Sequence, residues 1–486
     1  MDEEQTPSKK IWIIIGGIIL LLVIGVTVFL FVHKKATDTS GNKSIGSLFG
    51  SSSGGTGRPT PTDINSGTQI TGGTAGQNND QGEPLFRQLA NIPVAGATAV
   101  MRDGKTYVRY VSRENGNIFE VDPLSGVTTQ LTNTTIPRIY EALWANSGNS
   151  VILRYLVHDP LSRQDNIKTY LANLILPIKE ASSTNTQLSV GTLKGDFLPD
   201  NISAVSISQD GLHIFYLLPI QEGVSGSIVS VATLGTREVL RSSFSEWLPE
   251  LLNSGMVVLT TKPSANIPGF SYLYNPLNKT FSRLIREKNG LTTHAEARGN
   301  RIIYGENISG NTVLDLYDTK GFLNDDGETV HTQPLQLSTL PEKCVWAANH
   351  IRLYCAAFSA PAKAEIPDDW YQGALIFSDT FWTINTDTSE ITFLVDPSKE
   401  KSALRNFDVF TPFTGGDEKH FFFIDKNDAT LWSMHLIKEK FTTSDEDTAV
   451  IDTPTLTPDE LKDAVGSTAT KTGKTIITTP TATKRK

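Results

Sequence analysis

Short hydrophobic hairpins recur through residues 94–438, and their turns keep a fixed distance from one another. The turns read Arg102-Asp103-Gly104, Asn146-Ser147-Gly148, Gln209-Asp210-Gly211, Asn253-Ser254-Gly255, Arg298-Gly299-Asn300, Asn349-His350 and Thr414-Gly415-Gly416. Gly104 and Gly148, Gly211 and Gly255, and Gly255 and Gly299 are each 44 residues apart. A period of about 40–45 residues with β-type punctuation is that of a four-stranded propeller blade. A second turn interleaves with the first at Val121-Asp122-Pro123, Tyr274-Asn275-Pro276 and Ile384-Asn385-Thr386, each followed by a leucine, Leu131, Leu284 or Leu394. Asp or Asn before Pro starts turns, and the flanking aromatic and β-branched residues form strands.

The expected fold is therefore all-β, a seven-bladed propeller of four-stranded antiparallel blades. The expected blades are 94–133, 138–194, 202–243, 245–285, 291–338, 342–395 and 402–438. The last shows only three strands, at residues 406–410, 420–425 and 430–436. Pro84-Leu85-Phe86-Arg87-Gln88-Leu89 precedes the first blade and reads as a fourth strand. Paired into the last blade, it would close the ring.

Outside the repeats, residues 11–32 are 22 residues without a charge, about 33 Å as a helix and enough to cross a bilayer. His33-Lys34-Lys35 ends the run and suits no signal-peptide cleavage site, so an uncleaved anchor is expected. Residues 1–10 form a polar tail assigned to the cytoplasm. Residues 33–83 are Gly/Ser/Thr-rich and read as a tether spanning roughly 35–40 Å. The propeller is assigned to 84–440. The Thr-rich remainder, 441–486, reads as disordered, apart from a possible capping box from Thr457 to Glu460. The domain is expected outside a cell membrane, crossed once. A net charge of −9 leaves no basic footprint for nucleic acid.

Ile207-Ser208-Gln209-Asp210-Gly211-Leu212-His213-Ile214-Phe215 resembles the strand–turn–strand signature of WD-repeat-like propellers of the TolB and dipeptidyl-peptidase type. Trp144 to Gly148 and Val345 to Asn349 look like diverged copies. The resemblance implies the fold, and it extends to membrane-anchored bacterial propeller proteins with one N-terminal helix. No Trp-Asp dipeptide closes a blade, and no hydrolase domain follows the repeats. Fold of this kind does not carry function with it.

Cys344 and Cys355 lie symmetrically about Asn349-His350. As cross-strand partners they would lie within disulfide reach, which points to an oxidising compartment. Gly50 to Gly54 matches Gly-x-Ser-x-Gly only inside the linker, where no strained elbow exists. The eight histidines show no metal-ligand spacing, and no metal or cofactor is expected. Binding candidates lie on two insertions between second and third strands. These are His158, Asp159 and Arg163 in blade two, and Asp368, Asp369, Trp370 and Tyr371 in blade six. Aromatic and charged loop residues above a rigid scaffold commonly bind ligands. The alternative for the blade-six residues is structural, with Trp370 capping blade six and the two aspartates capping a helical turn. The expected function is a non-catalytic, membrane-tethered binding or scaffold module for a protein, peptide or glycan. The alternative is an extracytoplasmic lyase or glycosidase with its site at the channel mouth.

Overall fold

A computed structural model describes residues 83–436, apart from 178–189, 319–331 and 360–363. The expected membrane helix at 11–32, the tether up to residue 82 and the tail from 441 lie outside the described residues. Among the described residues no helix is long and apolar enough to cross a membrane.

Seven four-stranded antiparallel sheets make up the ring. Six follow the chain in order, from blade one (Val94–Arg102, Lys105–Ser112, Ile118–Val121, Thr128–Gln130) to blade six (Cys344–Trp346, Arg352–Ala357, Thr380–Asn385, Glu390–Val395). The inner strands of blades two to five are Ile139–Ala145, Ala204–Ile207, Trp247–Leu251 and Thr292–Ala295. Blade seven takes Val409–Thr414, His420–Asp425 and Leu431–His435 from the end of the repeats and Phe86–Ala90 from their beginning. Phe86 pairs with Met434 and Ala90 with Leu431.

The second strands are continuous apolar runs, such as Val151-Ile152-Leu153, Val257-Val258-Leu259 and Ile302-Ile303-Tyr304, because a neighbouring blade covers each face of the sheet. The cores lie between blades. Leu259 and Val257 pack with Phe215 and Leu217 of blade three, and Val111 and Ile118 pack with Ile139 and Val151 of blade two. The last interface is aromatic: Phe86, 2% exposed, lies 5.5 Å from both Phe381 and Phe407, and Phe407 lies 4.9 Å from Trp432. Burying a phenylalanine stabilises by about 1.5–3 kcal/mol, and here that gain is collected only when the ring closes.

The turn glycines Gly104, Gly148, Gly211, Gly255 and Gly299 all have φ between 71° and 81°. Only glycine adopts that region freely, which explains the periodic signal. Blade six places His350 there at φ 60°. Blade seven departs from the expected turn: its left-handed residue is Glu418, not Gly415 or Gly416, and its inner strand begins at Val409 rather than at residue 406. The outer strands of blades two and four also run further, to Phe197 and Asn289. Pairing with the strand before them extends past the apolar residues that marked their ends in sequence.

Cys344 and Cys355 face each other in the register of the first hairpin of blade six. They are joined by a disulfide, with Cα atoms 4.1 Å apart.

Inner strands all run from one face of the ring, here the upper, to the other. Second strands return, so second-to-third connections open on the upper face. The fourth strand starts at the lower face, where Glu83 Oε1 meets His420 Nε2 at 2.5 Å. The chain thus enters the ring on the face opposite the two insertions.

Candidate binding site in the propeller channel

The blade-two candidates sit on a long regular hairpin. Strands Ser150–Asp159 and Gln164–Ile175 stay paired to the tip, with His158 opposite Asp165 and Asp159 opposite Gln164. The expected insertion is therefore a strand extension with a short turn. His158 Nδ1 lies 3.1 Å from Asp165, which also accepts from Arg138 at 2.6 Å. Asp159 accepts from the Leu161 N–H at 2.9 Å and the Ser162 hydroxyl at 2.7 Å, and these bonds hold its carboxyl below the usual range. Arg163 occupies the turn at φ 56° and is exposed.

The blade-six candidates are folded down instead. Asp368–Tyr371 is one helical turn, and its residues are engaged by blades four, six and seven. Asp368 Oδ2 accepts from the Ala265 N–H of blade four at 2.5 Å, and Asp369 Oδ2 from Glu365 N–H at 2.8 Å. Just ahead of them, the Ile366 carbonyl accepts from Asn307 of blade five at 2.8 Å. Trp370, 1% exposed, packs with Leu340, Phe358, Ile366 and Phe377, and so belongs to a small core beneath the loop.

Under Trp370 lies a charged group that no sequence motif marked. Lys343 Nζ, fully buried, lies 2.6 Å from both Asp379 Oδ2 and Asp408 Oδ1, and both carboxylates are fully buried too. Trp370 Nε1 donates to the Asp408 carboxylate at 3.0 and 3.1 Å. The Val409 N–H donates to Asp379 at 2.6 Å. Burial pushes the Asp379 carboxyl up to about 6 despite the adjacent ammonium. Lys426 Nζ lies 4.1 Å from the centre of the Trp370 ring and donates to the Trp370 carbonyl. This network clamps the loop over the starts of the inner strands of blades six and seven.

Tyr371 donates its hydroxyl to Glu342 Oε1, and Glu342 in turn lines a cavity. Tyr371 as a whole is 42% exposed. Burial and the Glu342 charge push its phenol well above the usual range. Burial likewise raises the Glu342 carboxyl, with the Tyr371 hydrogen bond opposing it and the charge on Glu250 adding to it. Glu342 Oε2 is buried and has no hydrogen-bond partner.

The cavity, ≈ 420 Å³, lies between the inner strands of blades three, four and five and the turn leading into blade six. Its polar walls are Ser206, Gln209, Glu250, Thr293, His294 and Glu342. Glu250 is fixed from three sides: Thr293 Oγ1 donates at 3.0 Å, Ala295 N–H at 2.8 Å, and His294 Nδ1 lies 3.3 Å away. Leu248, Leu251, Leu252 and Ile207 supply an apolar side. Among the described residues, no Lys or Arg lines the cavity, and no three His, Cys, Asp or Glu side chains are grouped to hold a metal ion.

No motif marks Glu250, His294 or Glu342, yet two of them carry a signal. Ser206, Glu250 and His294 are 44 residues apart, each five residues before its turn glycine. Residues one period apart on adjacent inner strands are neighbours across the channel wall. The same position in blades one, two and six is Ala99, Leu143 and Val345, so the polar half of this ring is confined to blades three to five.

No protein-family model matches the sequence, and no curated protein matches it. Solved structures do resemble it. TolB from Acinetobacter baumannii is similar at 14% identity and a TM-score of 0.37, over 61% of this chain and 62% of that one. This chain thus spans about three-fifths of TolB, and 34% of the tricorn protease, another similar structure. An oligogalacturonate lyase from Vibrio parahaemolyticus is similar at 9% identity and a TM-score of 0.47, over 73% of this chain and 94% of that one. The β-propeller domain of Swd1 is similar at 7% identity and a TM-score of 0.44, over 72% of this chain and 99% of that one. TolB and WD-repeat-like propellers are thus among its structural neighbours, and its blade count rests on its own strand pairing.

Proposed function

We propose that this chain is a membrane-tethered, extracytoplasmic propeller that acts as a non-catalytic binding or scaffold module for a protein, peptide or glycan of the cell envelope. The ligand site is the channel and the upper face around the blade-six loop. One observation carries this reading: the chain enters the ring at Glu83 on the lower face, whereas Tyr371, Glu342 and the clamped loop belong to the upper face. A tether of roughly 35–40 Å attached below presents the upper face away from the bilayer. The uncharged span at 11–32 supports anchoring. The Cys344–Cys355 disulfide supports an oxidising compartment. A rigid ring with loops fixed above it is a common platform for recognition.

The test places a photo-crosslinking residue at Tyr371 in one variant and at Glu418, on the lower face, in another, in cells carrying the full chain. Envelope adducts should form from position 371 and not from 418. Adducts from 418 alone, or from neither, would reject the reading. Protease added to intact cells should also release the propeller, and its full protection would reverse the orientation.

A second reading, an extracytoplasmic lyase or glycosidase, is favoured by one arrangement. Glu250, with His294 beside it, and Glu342, bonded to Tyr371, line a single cavity. Convergence of titratable groups on one pocket is what acid–base chemistry requires. Turnover of an envelope polysaccharide that disappears in both Glu250→Gln and Glu342→Gln would establish it over the binding reading.

A further inference from the structure

We propose that the channel cavity binds an alkylammonium group, a primary amine at the end of an apolar stem. The inference rests on the channel being the ligand site, and it names the chemistry that site selects. The cavity holds two carboxylates, Glu250 and Glu342, and its lining among the described residues has no Lys or Arg to neutralise them. Their surroundings differ. Both oxygens of Glu250 already accept bonds, from Thr293 Oγ1 and from the Ala295 N–H with His294 beside it. Glu342 spends Oε1 on the Tyr371 hydroxyl, and Oε2 is buried without a donor. A buried acceptor left open in a folded protein calls for a partner.

The geometry of that partner follows from the count of free oxygens. A guanidinium binds a carboxylate best as a planar fork onto two oxygens. Glu342 offers one, which suits a compact ammonium with three donors on a rotatable stem. A divalent ion would need three or more convergent ligands, and none of the described residues form such a group. The stem has its own wall: Ile207, Leu248, Leu251, Leu252 and Ala295 line the same cavity. Leu248, 36% exposed on a half-buried inner strand, gives that wall an accessible apolar surface that a stem could cover. A volume of ≈ 420 Å³ lies at the small end of ligand sites and suits such a group.

A lysine side chain and a free aliphatic amine share this chemistry, and two probes separate them. Isothermal titration calorimetry on the full-length chain in detergent would compare Nα-acetyl-lysine amide, cadaverine and, as the uncharged match, pentanediol. At least one amine should bind saturably and the diol should not, and the tighter amine identifies the source. Glu342→Gln and Glu250→Gln should each weaken binding about tenfold or more, because a buried charge partner is lost. Their melting temperatures should stay close to that of the parent. The proposal is overturned if neither amine binds, if the diol binds as well as the amines, or if both glutamine variants bind like the parent. The diol comparison uses only the unaltered chain and so holds whatever the variants do to folding. Crosslinked partners at position 371 without amine binding would leave the binding-module reading standing and remove this one. Amine binding without any partner would do the reverse.

Discussion

Blades two and six both carry extra residues between their second and third strands, and the two segments end in opposite states. The blade-two hairpin projects with its strands paired to the tip, and Leu161 there is 94% exposed. The blade-six segment returns to the ring and buries Trp370 to 1%. Position in the blade is the same, so it decides only the face on which a loop emerges. What the loop does next depends on what it can bury. The blade-two tip is Asp-Pro-Leu-Ser-Arg, apolar only at Pro160 and Leu161, and its Asp159 carboxylate is satisfied locally. The blade-six loop carries Ile366, Trp370 and Phe377 to a face that already holds Leu340, Phe358 and the Lys343 group.

The hardest blow to this contrast should come from Lys343→Met. It leaves Asp379 and Asp408 buried without their cation, a loss of about 3–5 kcal/mol in urea unfolding. Recovery on adding Asp379→Asn and Asp408→Asn would confirm that charge, and not volume, is responsible. Trp370→Ala should cost about 3–5 kcal/mol through the cavity it opens, and should free the loop to proteolysis. A cost near zero would mean that the loop is not clamped at all. Reducing the disulfide, which closes a short loop beside Lys343, should cost roughly 3 kcal/mol on the chain-entropy model.

Acidity should separate the two segments by sign. Asp379 is raised by burial to about 6, so between about pH 4 and 6 the folded protein keeps a proton that the unfolded chain has released. Its contribution is full below that window and is lost as pH rises through it. Going from pH 7 to 5 should therefore tighten the blade-six loop by about 1 kcal/mol, visible as slower hydrogen exchange after correction for intrinsic rate. Asp159 and Asp165 are held low, the first by the Leu161 N–H and Ser162, the second by Arg138 and His158. Their contribution is present at neutral pH and is lost only as pH falls through the acid range, so the blade-two hairpin should not respond over the same interval. Unchanged exchange in an Asp379→Asn protein would assign the blade-six response to that carboxyl. The smallest effect should be Leu161→Ala, within about 0.5 kcal/mol of the parent.

The ring was legible because its signals are local. Each turn glycine needs a positive φ, and each apolar second strand is covered on both faces, so both recur wherever a blade recurs. The closing strand was legible for a related reason, since a three-stranded remainder at one end leaves room for the strand found at the other. The site was far less so. Lys343, Asp379 and Asp408 meet across 65 residues of sequence, and nothing nearby in the chain announces that any of them is buried. Asp368, Asp369 and Trp370 were recognisable as a charged and aromatic cluster. Their partners Ala265, Glu365 and Asp408 come from other turns of the ring or from the loop itself, and local pattern does not list them. Glu250 and His294 lay one repeat apart in plain sight, and needed only to be read down the channel instead of along the loops.

The strand that closes the ring also sets a timetable. Arg87 and Ser433, joined by a hydrogen bond across 346 residues, belong to one sheet, and the earlier of them leaves the ribosome first. At about 5–20 residues per second, the interval before its partner exists is roughly 20–70 seconds. Throughout that time blades one to six can pair strand to strand as they appear, whereas Phe86 has neither Met434 nor the Phe381–Phe407 pocket to enter. The first strand of the ring to be made is thus the last to be sheltered, and an apolar segment waits until the far end of the ring arrives to cover it.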